Sequence, residues 1–195
     1  MVTRRRRAES LGMYADNVRL MQKRGPGSYG HHAAAAAALD AALIARAVPG
    51  RPVMLKWSRE DEHAWEPYGP AMAVDIRASL NAEGRVIDWS HDVYSDTHRT
   101  RPRPGPGQIG PSRMLSTHLI DRPFPEWVPK PFLSVPLAGV HRNVDPYYDF
   151  PSRRIVKHLV PGMPLRTSTL RSLGAYTNVL AIETMMDELA HAANV

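Results

Sequence analysis

Proline sets the first limit on what this chain can fold into. Of its 195 residues 18 are proline, and most of these fall between Pro102 and Pro164. Proline donates no backbone hydrogen bond and fixes φ, so evenly spread prolines interrupt both helices and strand ladders. Residues 97–151 are therefore expected to form a long irregular segment that hugs the surface, pinned by Phe124, Trp127, Phe132, Tyr147 and Tyr148. A loop of that length inside a compact domain points to function or to an absent partner. Regular structure is left to the residues on either side.

On the N-terminal side, the alternation from Asn17 to Lys23 predicts a strand, broken at Gly25-Pro-Gly. His31 to Val48 predicts a helix: alanine dominates, Leu39, Leu43 and Val48 lie near one face, and Pro49-Gly50 ends it. Arg51 to Trp57 predicts a strand with Pro52 at its start. Ser58 then suits an N-cap, with Glu60, Asp61 and Glu62 in the first turn, where carboxylates favour the helix dipole. Met72 to Leu80 and Val86 to Ser95 predict two long strands joined by a hairpin at Asn81-Ala-Glu-Gly84. Beyond the proline-rich segment, Ser152 to Val160 predicts a strand and Tyr176 to Ala193 a helix. No internal repeat is present. The sum is an α+β arrangement.

Composition removes several function classes. The sequence has no cysteine, so disulfides, thiolate-bound zinc and a cysteine-held iron–sulfur cluster are all excluded from it. No apolar run approaches the length that spans a bilayer. The formal net charge of +6 concentrates at Arg4–Arg7, Arg99–Arg103 and Arg153-Arg154. A basic run can bind nucleic acid or anionic lipid. Here a solvated terminus accounts for Arg4–Arg7, and no apolar region follows it as a secretory or twin-arginine signal requires. Cytoplasmic location is then the default, with a periplasmic one left open.

Several residue groups invite chemical readings. Gly25 to Gly30 lies between a predicted strand and a predicted helix, where backbone N–H groups and a helix N-terminus hold an anion such as pyrophosphate. It has neither the dinucleotide fingerprint nor a Walker lysine, and a tight turn needs glycine too. His31 and His32 point about 100° apart on a helix and read as a polar helix start rather than as a ligand pair. The acids at 60–62 fit a capped, solvated turn better than a general acid/base pair. His91, His98, His118, His141 and His158 show no metal-motif spacing.

Two stretches nonetheless resemble one enzyme family. The first is Gly25-Pro-Gly-Ser-Tyr-Gly-His-His32 with its following helix and Gly50-Arg-Pro-Val-Met-Leu-Lys-Trp-Ser-Arg-Glu-Asp-Glu62. The second is Pro164-Leu-Arg-Thr-Ser-Thr-Leu-Arg-Ser-Leu-Gly-Ala-Tyr176, leading to Met185-Met-Asp-Glu-Leu-Ala190. Together they resemble the molybdopterin-binding subunit of the xanthine dehydrogenase/aldehyde oxidoreductase (molybdenum hydroxylase) family, in particular the group that holds the beta chain of isoquinoline 1-oxidoreductase. In that family an aromatic–glycine step touches the molybdenum cofactor, and Tyr29-Gly30 matches it, with Ser28 where many relatives carry cysteine. The acidic substrate contact of xanthine-type members has no counterpart: His31, His32 and Ala33 stand there, and the first carboxylate is Asp40. Arg171 aligns with the arginine that reaches the substrate pocket. Its alternative is an arginine that merely caps strand and helix, and Arg166 is the nearby competitor. Gly174 falls two positions later than the first glycine of the family's pattern.

The resemblance implies a mixed sheet with packed helices, similar to the first molybdenum-cofactor-binding domain of molybdenum hydroxylases. Residues 1–12 would be a flexible basic N-terminus, and 13–195 a partial molybdopterin-binding domain with the 97–151 insertion. Gly27, Ser28, Tyr29 and Gly30 would bind cofactor, and Arg171 would line the substrate pocket. No catalytic residue is assigned, because the family's glutamate base lies far along the full subunit. The implied cofactor is molybdenum–molybdopterin, in its cytosine dinucleotide form, with iron–sulfur clusters only on a partner subunit. The implied reaction hydroxylates an N-heterocycle or aldehyde with water as oxygen source. Expected partners are the remainder of the molybdenum subunit, a small iron–sulfur subunit and the small-molecule substrate, and the chain alone is expected to be inactive. The alternatives are a non-catalytic protein-association module and, ranked last for want of a base-stacking motif, a basic nucleic-acid binder.

Overall fold

Asn81 makes the turn around which the sheet is built. Its side-chain Oδ1 accepts from the backbone N–H groups of Glu83 at 3.2 Å and Arg85 at 2.8 Å. Gly84, at φ 74°, takes the left-handed position that closes the loop. The turn brings β1 (Met72–Leu80) antiparallel to β2 (Val86–Ser95), with Ile76 opposite His91. The expected hairpin is borne out, boundaries included.

The structure is a computed structural model that describes residues 11–19, 27, 36–98, 119 and 139–195. These residues fall into two compact units, divided between Tyr68 and Gly69. The second unit holds the sheet, whose order is β1-β2-β3, with β3 (Arg153–Leu159) running parallel to β2. A parallel neighbour cannot follow through a tight turn, so the long excursion between Ser95 and Arg153 is what permits it. Helix α3 (Ala175–Ala192) packs on one face of this sheet. The α+β class and the mixed sheet are as expected.

The core of this unit forms where three elements meet. Trp89 of β2 is fully buried and stacks on Phe150, ring centroids 4.9 Å apart and planes 19° from parallel. Ile182 of α3 completes the cluster, with Ile76, Met185, Met186 and Leu189 packed around it. Stacked aromatics add to the free energy of burying their area. Phe150, rather than the aromatics named from sequence, fastens the end of the irregular segment to the sheet. Tyr148 assists, donating from its hydroxyl to Glu183 at 2.7 Å. Tyr147 is 97% exposed and pins nothing. Phe124, Trp127 and Phe132 lie outside the described residues.

The first unit contains α1 (Ala36–Ala47) and α2 (Arg59–Trp65). Leu39 is fully buried, whereas Val48 lies beyond the helix end and is exposed. Residues 31–35 of the expected helix lie outside the described residues. The cap of α2 forms as expected: Asp61 N–H donates to Ser58 Oγ at 3.1 Å, and Ser58 N–H to Asp61 Oδ2 at 3.0 Å.

Two expected strands require correction. Asn17 ends a short 3-10 turn (Ala15–Asn17), residues 18–19 carry no strand, and 20–23 lie outside the described residues. Residues 51–57 form no ladder either. Their alternation is real, since Val53, Leu55 and Trp57 are half-buried while Met54 is 93% exposed. Period-2 burial shows which side of an extended chain faces protein, but it supplies no hydrogen-bonding neighbour.

Truncating Phe150 opens a cavity against Trp89, so Phe150→Ala is expected to lower stability by about 3 kcal/mol. Urea unfolding followed by tryptophan fluorescence measures this, and a loss under about 1 kcal/mol would contradict the assigned core.

Candidate functional site

Two clusters of candidate residues lie in different units. In the first, Gly27 is exposed and sits at φ 135°, a backbone conformation that side-chain-bearing residues avoid. Ser28, Tyr29, Gly30, His31 and His32 lie outside the described residues. In the same unit, the acids of α2 behave as a cap. A backbone N–H and the Ser58 hydroxyl hold Glu60 below its ordinary value, so it is not a carboxylic acid tuned to deliver protons.

In the second unit, Arg171 sits at the head of a tight turn that leads into α3. The turn is closed by Leu173 N–H donating to Leu170 C=O and Ala175 N–H donating to Ser172 C=O, both at 3.1 Å. Ser172 at φ 68° and Leu173 at φ 56° are consecutive left-handed residues, neither of them glycine. Each costs about 1–2 kcal/mol of backbone strain, so the surrounding structure must hold them there.

The constraint is visible on both sides of the turn. A Cβ on Gly174 would stand 2.6 Å from Val140 O and 2.8 Å from Gly139 O, so no other residue fits without moving backbone. One turn into the helix, fully buried Asn178 donates from Nδ2 to Val140 O at 2.8 Å and Arg142 O at 2.9 Å. Before the turn, Thr167, Ser168 and Thr169 are all buried, and Thr169 Oγ1 donates to His98 O at 3.0 Å. Arg171 itself is exposed, and its guanidinium has no partner among the described residues. Arg166, the competitor, is half-buried and already engaged.

Buried polar groups surround this region. His98 is 3% exposed, and burial pushes its imidazole down to about 4. His91 is fully buried, and desolvation lowers it too, against a smaller opposing influence of Asn178. Neither ring makes a hydrogen bond among the described residues. On the sheet's opposite face Asp92 accepts from Arg154 at 2.6 Å and lies 2.6 Å from His158 Nε2. These partners, Arg154 first, hold Asp92 at about 2, below its ordinary 3.8. His158 stacks on Tyr94 with centroids 4.2 Å apart. This is a closed cross-strand network with no donor left over for chemistry. A cavity of about 270 Å³ between β1 and α3 is walled by Val74, Ile76, Leu180 and Met185. None of the candidate residues lines it, and its apolar walls offer little to orient a substrate.

Residues 1–109 match the model of the molybdopterin cofactor-binding domain. The chain belongs to that family. A nicotinate dehydrogenase chain of Pseudomonas putida, the second of that enzyme's named subunits, is 31% identical over 179 residues, 91% of this chain and 13% of that protein. The beta chain of isoquinoline 1-oxidoreductase from Brevundimonas diminuta is 24% identical over 193 residues, 94% of this chain and 20% of that protein. The chain thus spans a fifth or less of the length of these relatives. It is a molybdopterin-binding member of the molybdenum hydroxylases, as the two stretches implied. No described helix is long and apolar enough to cross a membrane.

The described residues fit an anionic organic cofactor of this kind. Gly27 offers exposed backbone with no side chain in the way, and backbone N–H groups in such loops take phosphate oxygens. Among the described residues no three His, Cys, Asp or Glu side chains converge on a metal position.

Sequence reasoning missed Asn178 and Gly174. A signal for Asn178 existed: it shares a helix face with Ile182, Met185 and Leu189, so a lone amide interrupts an apolar stripe. Gly174 has no such signal, because the carbonyls that crowd it come from residues 139–140.

Burial of neutral His98 has a pH signature. The unfolded chain protonates near 6.5 and the folded one only near 4, so stability present above 6.5 is lost as pH falls between these values. The His98→Phe variant is expected to show a shallower decline in urea midpoint from pH 7 to pH 4.5 than the parent, and parallel declines would contradict it.

Proposed function

We propose that this chain forms part of the cofactor- and substrate-binding wall of a molybdenum hydroxylase that oxidises an N-heterocycle, with water as oxygen source. The observation that carries this is Arg171: an exposed guanidinium on a strained, tightly held turn, with no partner among the described residues. A planar fork of donors suits a carboxylate or carbonyl on a flat ring. The names of both relatives specify N-heterocycles, nicotinate and isoquinoline, which favours that class over aldehydes here.

Within this proposal Gly27, Ser28, Tyr29 and Gly30 hold the cofactor, molybdenum–molybdopterin in its cytosine dinucleotide form. When bound, that group supplies the two-electron oxidation chemistry. The loop's backbone N–H groups neutralise its phosphates, and Arg171 orients the ring and balances negative charge that grows on it. Iron–sulfur clusters sit on a partner subunit, since this sequence has no cysteine to bind them. The remainder of a molybdenum subunit supplies the general base, so the 195-residue chain alone does not turn over.

Titration of the chain with nicotinate by ligand-observed NMR tests the substrate reading. Arg171→Ala is expected to weaken binding about 10- to 100-fold, the worth of a charged, two-pronged hydrogen bond. Equal affinity in the variant would remove Arg171 from the pocket. Nicotinate-dependent dye reduction by the isolated, cofactor-reconstituted chain would overturn the claim that it is inactive alone.

A further inference from the structure

We propose that Asn178 and Gly174 are positioning residues for Arg171, clamping the turn from Leu170 to Gly174 in one conformation so that the guanidinium meets its ligand already ordered. This rests on the assignment of Arg171 to ligand binding. It concerns residues that touch neither ligand nor cofactor, and so deepens that assignment.

The clamp is built from contacts distant in sequence. Val140 O is the shared point: it crowds the position where a Cβ of Gly174 would lie, at 2.6 Å, and accepts from Asn178 Nδ2 at 2.8 Å. The second amide hydrogen of Asn178 goes to Arg142 O at 2.9 Å, so both donors serve the 3-10 turn Gly139–His141 and the residue after it. That turn is thereby fastened against the first turn of α3. At the other end, the Thr169 hydroxyl ties the chain to His98 O. Between the two anchors Ser172 and Leu173 have no room to leave the left-handed region, although neither favours it.

A helix entry with ordinary capping would need none of this. Gly174 supplies no side-chain cap to α3, and Ser172 lies two residues too early to do so. The fully buried Asn178 therefore serves no purpose in helix formation that alanine would not serve better. What its amide does is fix the backbone from which Arg171 projects. Arginine loses several rotamers on binding, and any additional freedom of its backbone would also be lost. Holding the turn in advance removes the second cost. It also fixes the direction of a fork that must meet a planar ligand at two points.

Backbone 15N relaxation of the 195-residue chain, with nicotinate titration, tests the clamp. In the parent chain the amides of Arg171, Ser172 and Leu173 are expected to have order parameters of about 0.85, as rigid backbone does. In Asn178→Ala they are expected to fall below about 0.6, while those of β1 and β2 stay unchanged and nicotinate binds several-fold more weakly with Arg171 intact. A purely structural role would lower thermal stability without singling out these three amides. Should Asn178→Ala fail to fold, Thr169→Val removes the other anchor with little change of volume and carries the same expectation. Amides already mobile in the parent chain, or rigid in both variants, overturn the clamp. Mobile amides with undiminished nicotinate affinity overturn the positioning role. Absence of nicotinate binding to the parent chain overturns the ligand assignment instead, and the order parameters still decide whether the turn is clamped.

Discussion

The stack of Trp89 on Phe150 is the contact on which the second unit depends. Trp89 lies on the central strand, Phe150 stands just before β3, and Ile182 of α3 closes the cluster from above. One buried aromatic pair thus fixes the sheet, the return of the chain to its parallel edge and the seat of the helix. The position of α3 then sets Asn178, one turn before Ile182, and Asn178 sets the backbone beneath Gly174. The candidate arginine is the last member of this series and the only exposed one. Hydrophobic burial supplies the energy, and directed hydrogen bonds convert it into a fixed orientation.

The polar interior of this unit follows a similar logic. His91, His98, Asn178 and the hydroxyl residues 167–169 are buried together with Ser95 and Asp96. Desolvation keeps both imidazoles neutral, so the region behind the turn carries little positive charge to compete with Arg171. By contrast, Arg154 and His158 are held by Asp92 on the opposite face. The positive charge of the second unit is thus partly neutralised in place, whereas the guanidinium on the strained turn is left without a described partner. Net charge of the whole chain would not have made that distinction.

What could be foreseen from the residues divides along the range of the forces involved. The Asn81–Gly84 hairpin, the Ser58–Asp61 cap and the helix beginning near Tyr176 depend on neighbours a few positions away, and all three form as expected. Residues 51–57 show the limit, because alternation records a buried side but says nothing about a pairing strand. Phe150 escapes notice because it ends a proline-rich run, and its partner Trp89 lies on the other side of that run. The family membership was legible through the glycine–tyrosine loop and the Arg171 stretch. The need for glycine at 174 was not, since it arises from carbonyls more than thirty residues away.

Assignment of the Arg171 side chain offers the most direct test of the account. Its Nε–H resonance, identified by its disappearance in Arg171→Lys, would be followed by NMR as nicotinate is added to the 195-residue chain. The account predicts a saturable shift of that resonance, together with the backbone amides of the turn. A titration that leaves Arg171 unmoved while other resonances shift would contradict it, and would place the ligand elsewhere on the protein.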